Sequence, residues 1–190
     1  MYGMINQAIE KLVRDQHGAP TWEAICRAAR IENGDFATLQ HYPDEVTYRL
    51  VGAASSVLGV PAEKVLEAFG ESWTDYARQT AFAGLMRFAG RTFPEFVESL
   101  DQMHAKIKFS LPDLQPPSFR VTDMRGDGFR LHYYSARQGL APLVVGMMKG
   151  VGRIYGVTVD MHLDRSRADG HDHDEFVVRY LPAAPGEPAG

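Results

Sequence analysis

Apolar side chains recur every three or four residues through the first hundred or so positions. After that they recur at alternate positions in several short runs. The first spacing predicts amphipathic helices and the second half-buried strands. Ile5, Ile9, Leu12 and Val13 form one helical stripe that ends near Gly18. Pro20 and Thr21 open a second helix, with Trp22, Ile25, Cys26 and Ala29 on one face. Residues 32–44, rich in Asn, Gly and Asp, read as a loop. Glu45 to Leu58 fits a third helix, stopped by Gly59. Pro61 opens a fourth, followed by Val65, Leu66, Phe69 and Trp73 at helical spacing. Tyr76 to Ala89 continues in the same style, with Phe82, Leu85, Met86 and Phe88 apolar. Phe93, Phe96, Val97, Leu100, Met103, His104 and Ile107 then make a long stripe that must stop before Pro112.

The period changes beyond the connector Asp113–Pro117. Ser118–Asp123 and Phe129–Tyr134 alternate as strands, joined by the hairpin signal Arg125-Gly126-Asp127-Gly128. Gly139–Tyr155 returns to helical spacing, and Val157–Leu163 and Glu175–Tyr180 predict two more strands. The fold class is therefore α+β, in a single domain over residues 1–180. A helical lobe spans about residues 1–110. A lobe over about residues 118–180 holds a four-stranded antiparallel sheet with a crossing helix. Residues 181–190, LPAAPGEPAG, have the composition of a disordered tail.

Composition removes several function classes. With 45% hydrophobic residues, there is material for a core and a buried ligand. The net charge is -4 and the basic residues are scattered, which argues against a nucleic-acid partner. Cys26 is the single cysteine, so an internal disulfide and a cysteine-built zinc site are excluded. No apolar run approaches the length of a membrane span, and the amphipathic start is not a signal peptide, so a cytoplasmic location is expected.

The chemistry concentrates in two places. His104 falls inside an apolar stripe, four residues after Leu100 and three before Ile107. A lone imidazole there suits a metal that brings other ligands of its own. Tyr133, Ser135 and Arg137 stand at every second position, so an extended segment points two hydroxyls and a guanidinium the same way. That set receives carboxylates. A haem has both an iron needing an axial ligand and two propionates. Taken alone, though, His104 reads equally as a satisfied core residue, and the polar triplet as a solvated strand end.

Further residues join the pattern. The opening MYG, the segment YRLVGAASSVLG, Phe69-Gly70, the LDxxH of Leu100–His104, PSFRVTD at Pro117–Asp123 and LHYYSARQGL at Leu131–Leu140 occur in order. The series resembles the haem-nitric oxide/oxygen-binding (H-NOX) family, which includes the haem domain of soluble guanylate cyclase, over roughly residues 1–180. The resemblance implies a non-covalent haem b with His104 as axial ligand. It implies propionate contacts from Tyr133, Ser135 and Arg137, a Pro117 that presses on the haem face, and Asp44 holding Arg137.

It also places Ile5, Ile9, Trp73 and Leu143 in the distal pocket, with Leu143 where oxygen-binding members carry tyrosine. The implied function is a ferrous-haem sensor for NO and CO that discriminates against O2. It would act on a separate partner, a sensor histidine kinase or a cyclic-di-GMP enzyme, with no catalytic domain of its own. Two alternatives stand beside this reading. One is an O2 sensor or carrier, with the Trp73 indole as donor. The other is a metal-dependent hydrolase using His171, Asp172 and His173, although a polar loop is the simpler account of that stretch. His17, His41 and His132 show no partner set.

Overall fold

In the computed structural model, which describes residues 1–32, 34–80, 83–84 and 89–183, the stripes become helices and the alternations a sheet. The first lobe contains α1 (Gly3–His17), α2 (Ala19–Ala29), α3 (Asp44–Leu58), α4 (Ala62–Arg78) and the long α5 (Phe93–Ser110). The second contains β1 (Ser118–Arg125), β2 (Gly128–Tyr134), α6 (Ala141–Ile154), β3 (Val157–Arg165), a single 3-10 turn (Arg167–Asp169) and β4 (Asp174–Pro182). All pairings are antiparallel, in the order β1-β2-β4-β3. The α+β class with four strands and a crossing helix is therefore what forms.

The differences lie at element ends. β3 and β4 each run two residues past the ends that alternation predicts. The ladder continues there, with Thr158 opposite Leu181 and Val157 opposite Pro182. Backbone pairing keeps Leu181 extended although its side chain is 64% exposed, so alternation of burial could not have signalled it. Residues 184–190 of the expected tail lie outside the described residues, as do Phe82, Leu85, Met86 and Phe88 of the helix expected over Tyr76–Ala89.

Two apolar cores result. One lies among α1 to α4, around Ile9, Trp22, Ile25, Leu50 and Phe69. The other lies between the sheet's inner face and two helices. Phe119, Phe129, Leu131, Phe176 and Val178 meet Phe93, Phe96, Val97 and Leu100 of α5 and Val144, Met148 and Val151 of α6. In β2 the alternation is clean: Phe129, Leu131 and Tyr133 are buried, while Arg130 and His132 are partly exposed on the other face.

Helices α4 and α6 approach until their backbones touch. A Cβ at Gly146 would stand 1.9 Å from the Glu67 carbonyl oxygen, and one at Gly70 would stand 2.2 Å from the Leu143 carbonyl oxygen. Only glycine permits this spacing. Lys149 and Arg153 then reach across to Glu67 and Glu71. Gly146→Ala must push backbone apart, since no flexible side-chain end can yield. We expect a loss of about 1–3 kcal/mol, visible as a lower denaturation midpoint in urea.

Candidate functional site

Helix α5 starts under a cap, with Thr92 Oγ1 accepting from the Glu95 amide at 3.4 Å and Pro94 in the first turn. Its stripe is buried through Leu100. His104 lies one turn further on, where the stripe leaves the core and meets a cavity lined by both lobes. The His104 Nδ1 lies 3.0 Å from the Pro117 carbonyl oxygen. A carbonyl only accepts, so Nδ1 carries the hydrogen and Nε2 keeps its lone pair. Burial lowers the His104 pKa, against smaller opposing effects from that hydrogen bond and from Asp101. The imidazole is thus held neutral, with Nε2 as its lone-pair atom. The sequence named no partner for its other nitrogen; the backbone of Pro117 supplies one.

Asp101, one turn before His104, fixes the helix to the next element. Its Oδ1 accepts from the Phe119 amide at 2.6 Å and its Oδ2 from Ser118 Oγ at 2.8 Å. Pro117 is therefore pinned from both sides, by His104 before it and by the Asp101 contacts after it. Sequence reasoning missed this role. The signal was present, because the LDxxH spacing puts the aspartate on the same side of the helix as the histidine.

Across the cavity, Tyr133 belongs to β2, but the strand ends at Tyr134, so Ser135 and Arg137 lie in the bend that follows. Strand alternation thus reaches only the first of the three. All three still line the same cavity. The bend is fixed by the Arg137 amide donating to Ser135 Oγ at 3.1 Å. Tyr133 is 3% exposed, and burial raises its hydroxyl pKa, so it remains a donor. The Arg137 guanidinium is oriented by Asp44. Nε donates to Oδ2 at 2.7 Å and Nη2 to Oδ1 at 3.3 Å, while Nη1 donates to the Gln115 carbonyl at 2.8 Å. The cavity thus has a charged, hydroxyl-bearing rim at one side.

Asp44 also accepts from the N-terminal ammonium at 2.7 Å. Burial pushes its carboxyl up, but hydrogen bonds and charge from the ammonium and Arg137 outweigh this and hold it below the usual value. A depressed carboxyl stabilises the fold above its unfolded pKa, about 3.9. That contribution is lost as pH falls through the folded value. Asp44→Asn should therefore flatten the stability–pH curve below about pH 4. At neutral pH it should loosen Arg137. We expect haem to transfer to an acceptor globin about fivefold faster, from roughly 1 kcal/mol of lost charged hydrogen bonding in a half-open site.

The walls are apolar. Ile5, Leu66, Phe69, Trp73, Leu143 and Val144 line the cavity together with Pro117 and Arg137. Ile9 is not among the lining residues; it is 2% exposed, inside the helical core. Trp73 is fixed by an edge contact with Phe69 and stacks on Tyr76 at 5.6 Å. The donor set fits a haem. It offers one imidazole with a defined lone pair, apolar faces for a macrocycle, and a guanidinium with two hydroxyls for propionates.

The family model for haem-NO-binding domains matches residues 2–163. The chain belongs to that family, H-NOX. It is 34% identical to soluble guanylate cyclase gcy-35 of Caenorhabditis elegans over 187 residues, 95% of this chain and 27% of that protein. It is 27% identical to soluble guanylate cyclase 89Db of Drosophila melanogaster, over 89% of this chain and 25% of that protein. The H-NOX chain thus spans about a quarter of the length of these cyclases. The fold matches an unliganded Fe(II) H-NOX protein of K. algicida with TM-score 0.85 at 18% identity, covering 98% of this chain and 100% of that one. It also matches an H-NOX protein of S. oneidensis in the Fe(II)NO state with TM-score 0.84 at 18% identity, covering 95% and 99%. As an H-NOX domain, the chain is a haem-binding gas-sensor module related to soluble guanylate cyclase and not a catalyst. The hydrolase alternative falls with that assignment. None of its described helices is long and apolar enough to cross a membrane.

The histidine-rich stretch also differs from expectation. His171 stays apart, whereas His132, read as lacking partners, lies 2.8 Å from His173 Nε2 through its Nδ1. Cross-strand register decides this. His132 stands opposite Glu175, which places it diagonal to His173 on the sheet's outer face.

Proposed function

We propose that this H-NOX domain binds a non-covalent haem b and senses NO, with CO as a second ligand, while discriminating against O2. When bound, haem would supply a ferrous iron able to take a diatomic ligand. His104, on α5, would hold the iron through Nε2. Arg137, Tyr133 and Ser135 would hold the propionates, and Pro117 would lie against the macrocycle. The observation that carries the reading is the His104–Pro117 pair in a cavity otherwise lined largely by apolar side chains, with Tyr133, Ser135 and Arg137 at its rim.

Discrimination rests on Leu143. It offers no hydrogen bond to a diatomic ligand that takes up negative charge, and NO does not need one. Signalling rests on α5. His104 stays tied to Pro117 through Nδ1 whether or not its Nε2 engages an iron. The Asp101 contacts then carry any shift of α5 into β1. Two arrangements of one packed element, biased by a ligand, make a switch. The reader of that switch is a separate cytoplasmic protein, a sensor histidine kinase or a cyclic-di-GMP enzyme.

An electronic spectrum of the reduced protein tests the reading. A Soret band that shifts on adding NO and stays unchanged in air supports it. A stable oxygen spectrum in air would favour the second reading, an O2 sensor. The observation behind that second reading is Trp73, an N–H donor type among the residues that line the cavity.

A further inference from the structure

On the far side of the sheet from the cavity, four side chains form a row. Thr122 Oγ1 lies 2.8 Å from His132 Nε2, His132 Nδ1 lies 2.8 Å from His173 Nε2, and His173 Nδ1 lies 2.6 Å from Asp172 Oδ1. Glu175, 6% exposed, lies against the two imidazoles, and ligand atoms of His132, His173 and Glu175 fall within 4.8 Å of one another. We propose that this face holds one divalent transition-metal ion, Zn2+ in the first instance, ligated by His132 Nδ1, His173 Nε2 and a Glu175 carboxylate oxygen.

Three observations carry the assignment. The first is the outer partner of each imidazole. Asp172 fixes His173 with Nδ1 as the donor and Nε2 as the lone-pair atom. Thr122, whose hydroxyl can turn to accept, does the same for His132 through Nε2. A metal-ligating histidine is characteristically held this way, with its second nitrogen given to an oxygen. The second is rigidity. His132 and Glu175 are register partners on β2 and β4, and the Tyr134 ring stacks on His173 at 4.3 Å. The third is charge. Arg130 engages one Glu175 oxygen, and Arg165 stands 3.8 Å from the other, beyond hydrogen-bond range. Asp123 and Asp164 offset Arg130.

Protons satisfy the row in the absence of an ion, passing from Thr122 through both histidines to Asp172. Two nitrogens on one tetrahedral Zn2+ stand roughly 3.3–3.4 Å apart, given bonds of about 2.0–2.1 Å. The rings therefore need part by only about half an ångström. Two imidazoles and a carboxylate suit zinc, nickel or copper better than calcium or magnesium. The ion would staple β2 to β4, and a solvent molecule would complete its shell. The site is distinct from the haem cavity and does not depend on the gas-sensing reading.

The test uses haem-loaded protein treated with chelator and then titrated with Zn2+ by calorimetry, with zinc and iron measured after gel filtration. The parent should retain one zinc per chain and melt at higher temperature with it, and its Soret band should stay unchanged. His132→Ala should weaken zinc at least tenfold, with His132→Gln in reserve should alanine disturb the sheet. Asp172→Asn should weaken it about tenfold by freeing His173. His171→Ala should change nothing. No zinc retained by the parent overturns the proposal. So does full retention in the His132 variants, loss on His171→Ala alone, or a Soret shift that tracks zinc uptake.

Discussion

His104→Gly should yield a protein that purifies without haem and regains it when imidazole is supplied. The physical reason is specific to this geometry. The substitution removes the imidazole but leaves the Pro117 carbonyl, which held the Nδ1 hydrogen at 3.0 Å. A free imidazole can therefore enter the vacated space, donate to the same oxygen and present its other nitrogen to the iron. Glycine in a helix interior also weakens α5 by about 1 kcal/mol. That loss is too small to unfold a domain and can be measured separately on the apoprotein. Haem content equal to that of the parent, without added imidazole, would reject the axial role. Haem loss that imidazole fails to restore, in a folded apoprotein, would point to collapse of the cavity instead.

Leu143→Tyr should convert the distal wall from indifferent to oxygen-retaining. Leu143 lies on α6 where Gly70 and Gly146 bring α4 and α6 into backbone contact, so a side chain there has little freedom to turn away. A tyrosine hydroxyl placed on that wall gives a donor to a negatively polarised ligand. Such a bond contributes about 1.5–3 kcal/mol, roughly ten- to hundredfold in oxygen affinity. NO affinity should change far less. Oxygen equilibrium measurements on the parent and variant decide it. Equal oxygen affinity in both would show that Trp73 or another distal group sets the discrimination.

Much of this was legible from the chain. The three-and-four spacing around Leu100, His104 and Ile107 identified α5 and its histidine. The alternation of Phe129, Leu131 and Tyr133 identified β2 and its inner face. These patterns are readable because a helix turns its face every 3.6 residues and a strand every two, whatever lies opposite. The cofactor assignment was another matter. Periodicity left His104 and the Tyr133–Arg137 triplet open to ordinary readings, and only the ordered series of motifs decided between them. Ile9 shows the limit of that route. Its matched position suggested the distal wall, yet its side chain packs into the helical core. The rule of alternate positions put Ser135 and Arg137 beside Tyr133, and all three line one cavity although the strand stops before them. There the bend, held by Ser135 Oγ and Asp44, does what an extended backbone was expected to do.

What the sequence determined by itself is the set of elements, their buried faces and the residue types offered to a haem. These depend on local periodicity and composition. What only the tertiary structure decided is which atoms meet across long separations in the chain. Examples are the Pro117 carbonyl at His104, the Asp101 carboxylate at β1, Asp44 at Arg137, and His132 beside His173 in place of His171. Those meetings follow from helix docking and strand register, which position groups to within an ångström and leave no periodic trace in the order of residues.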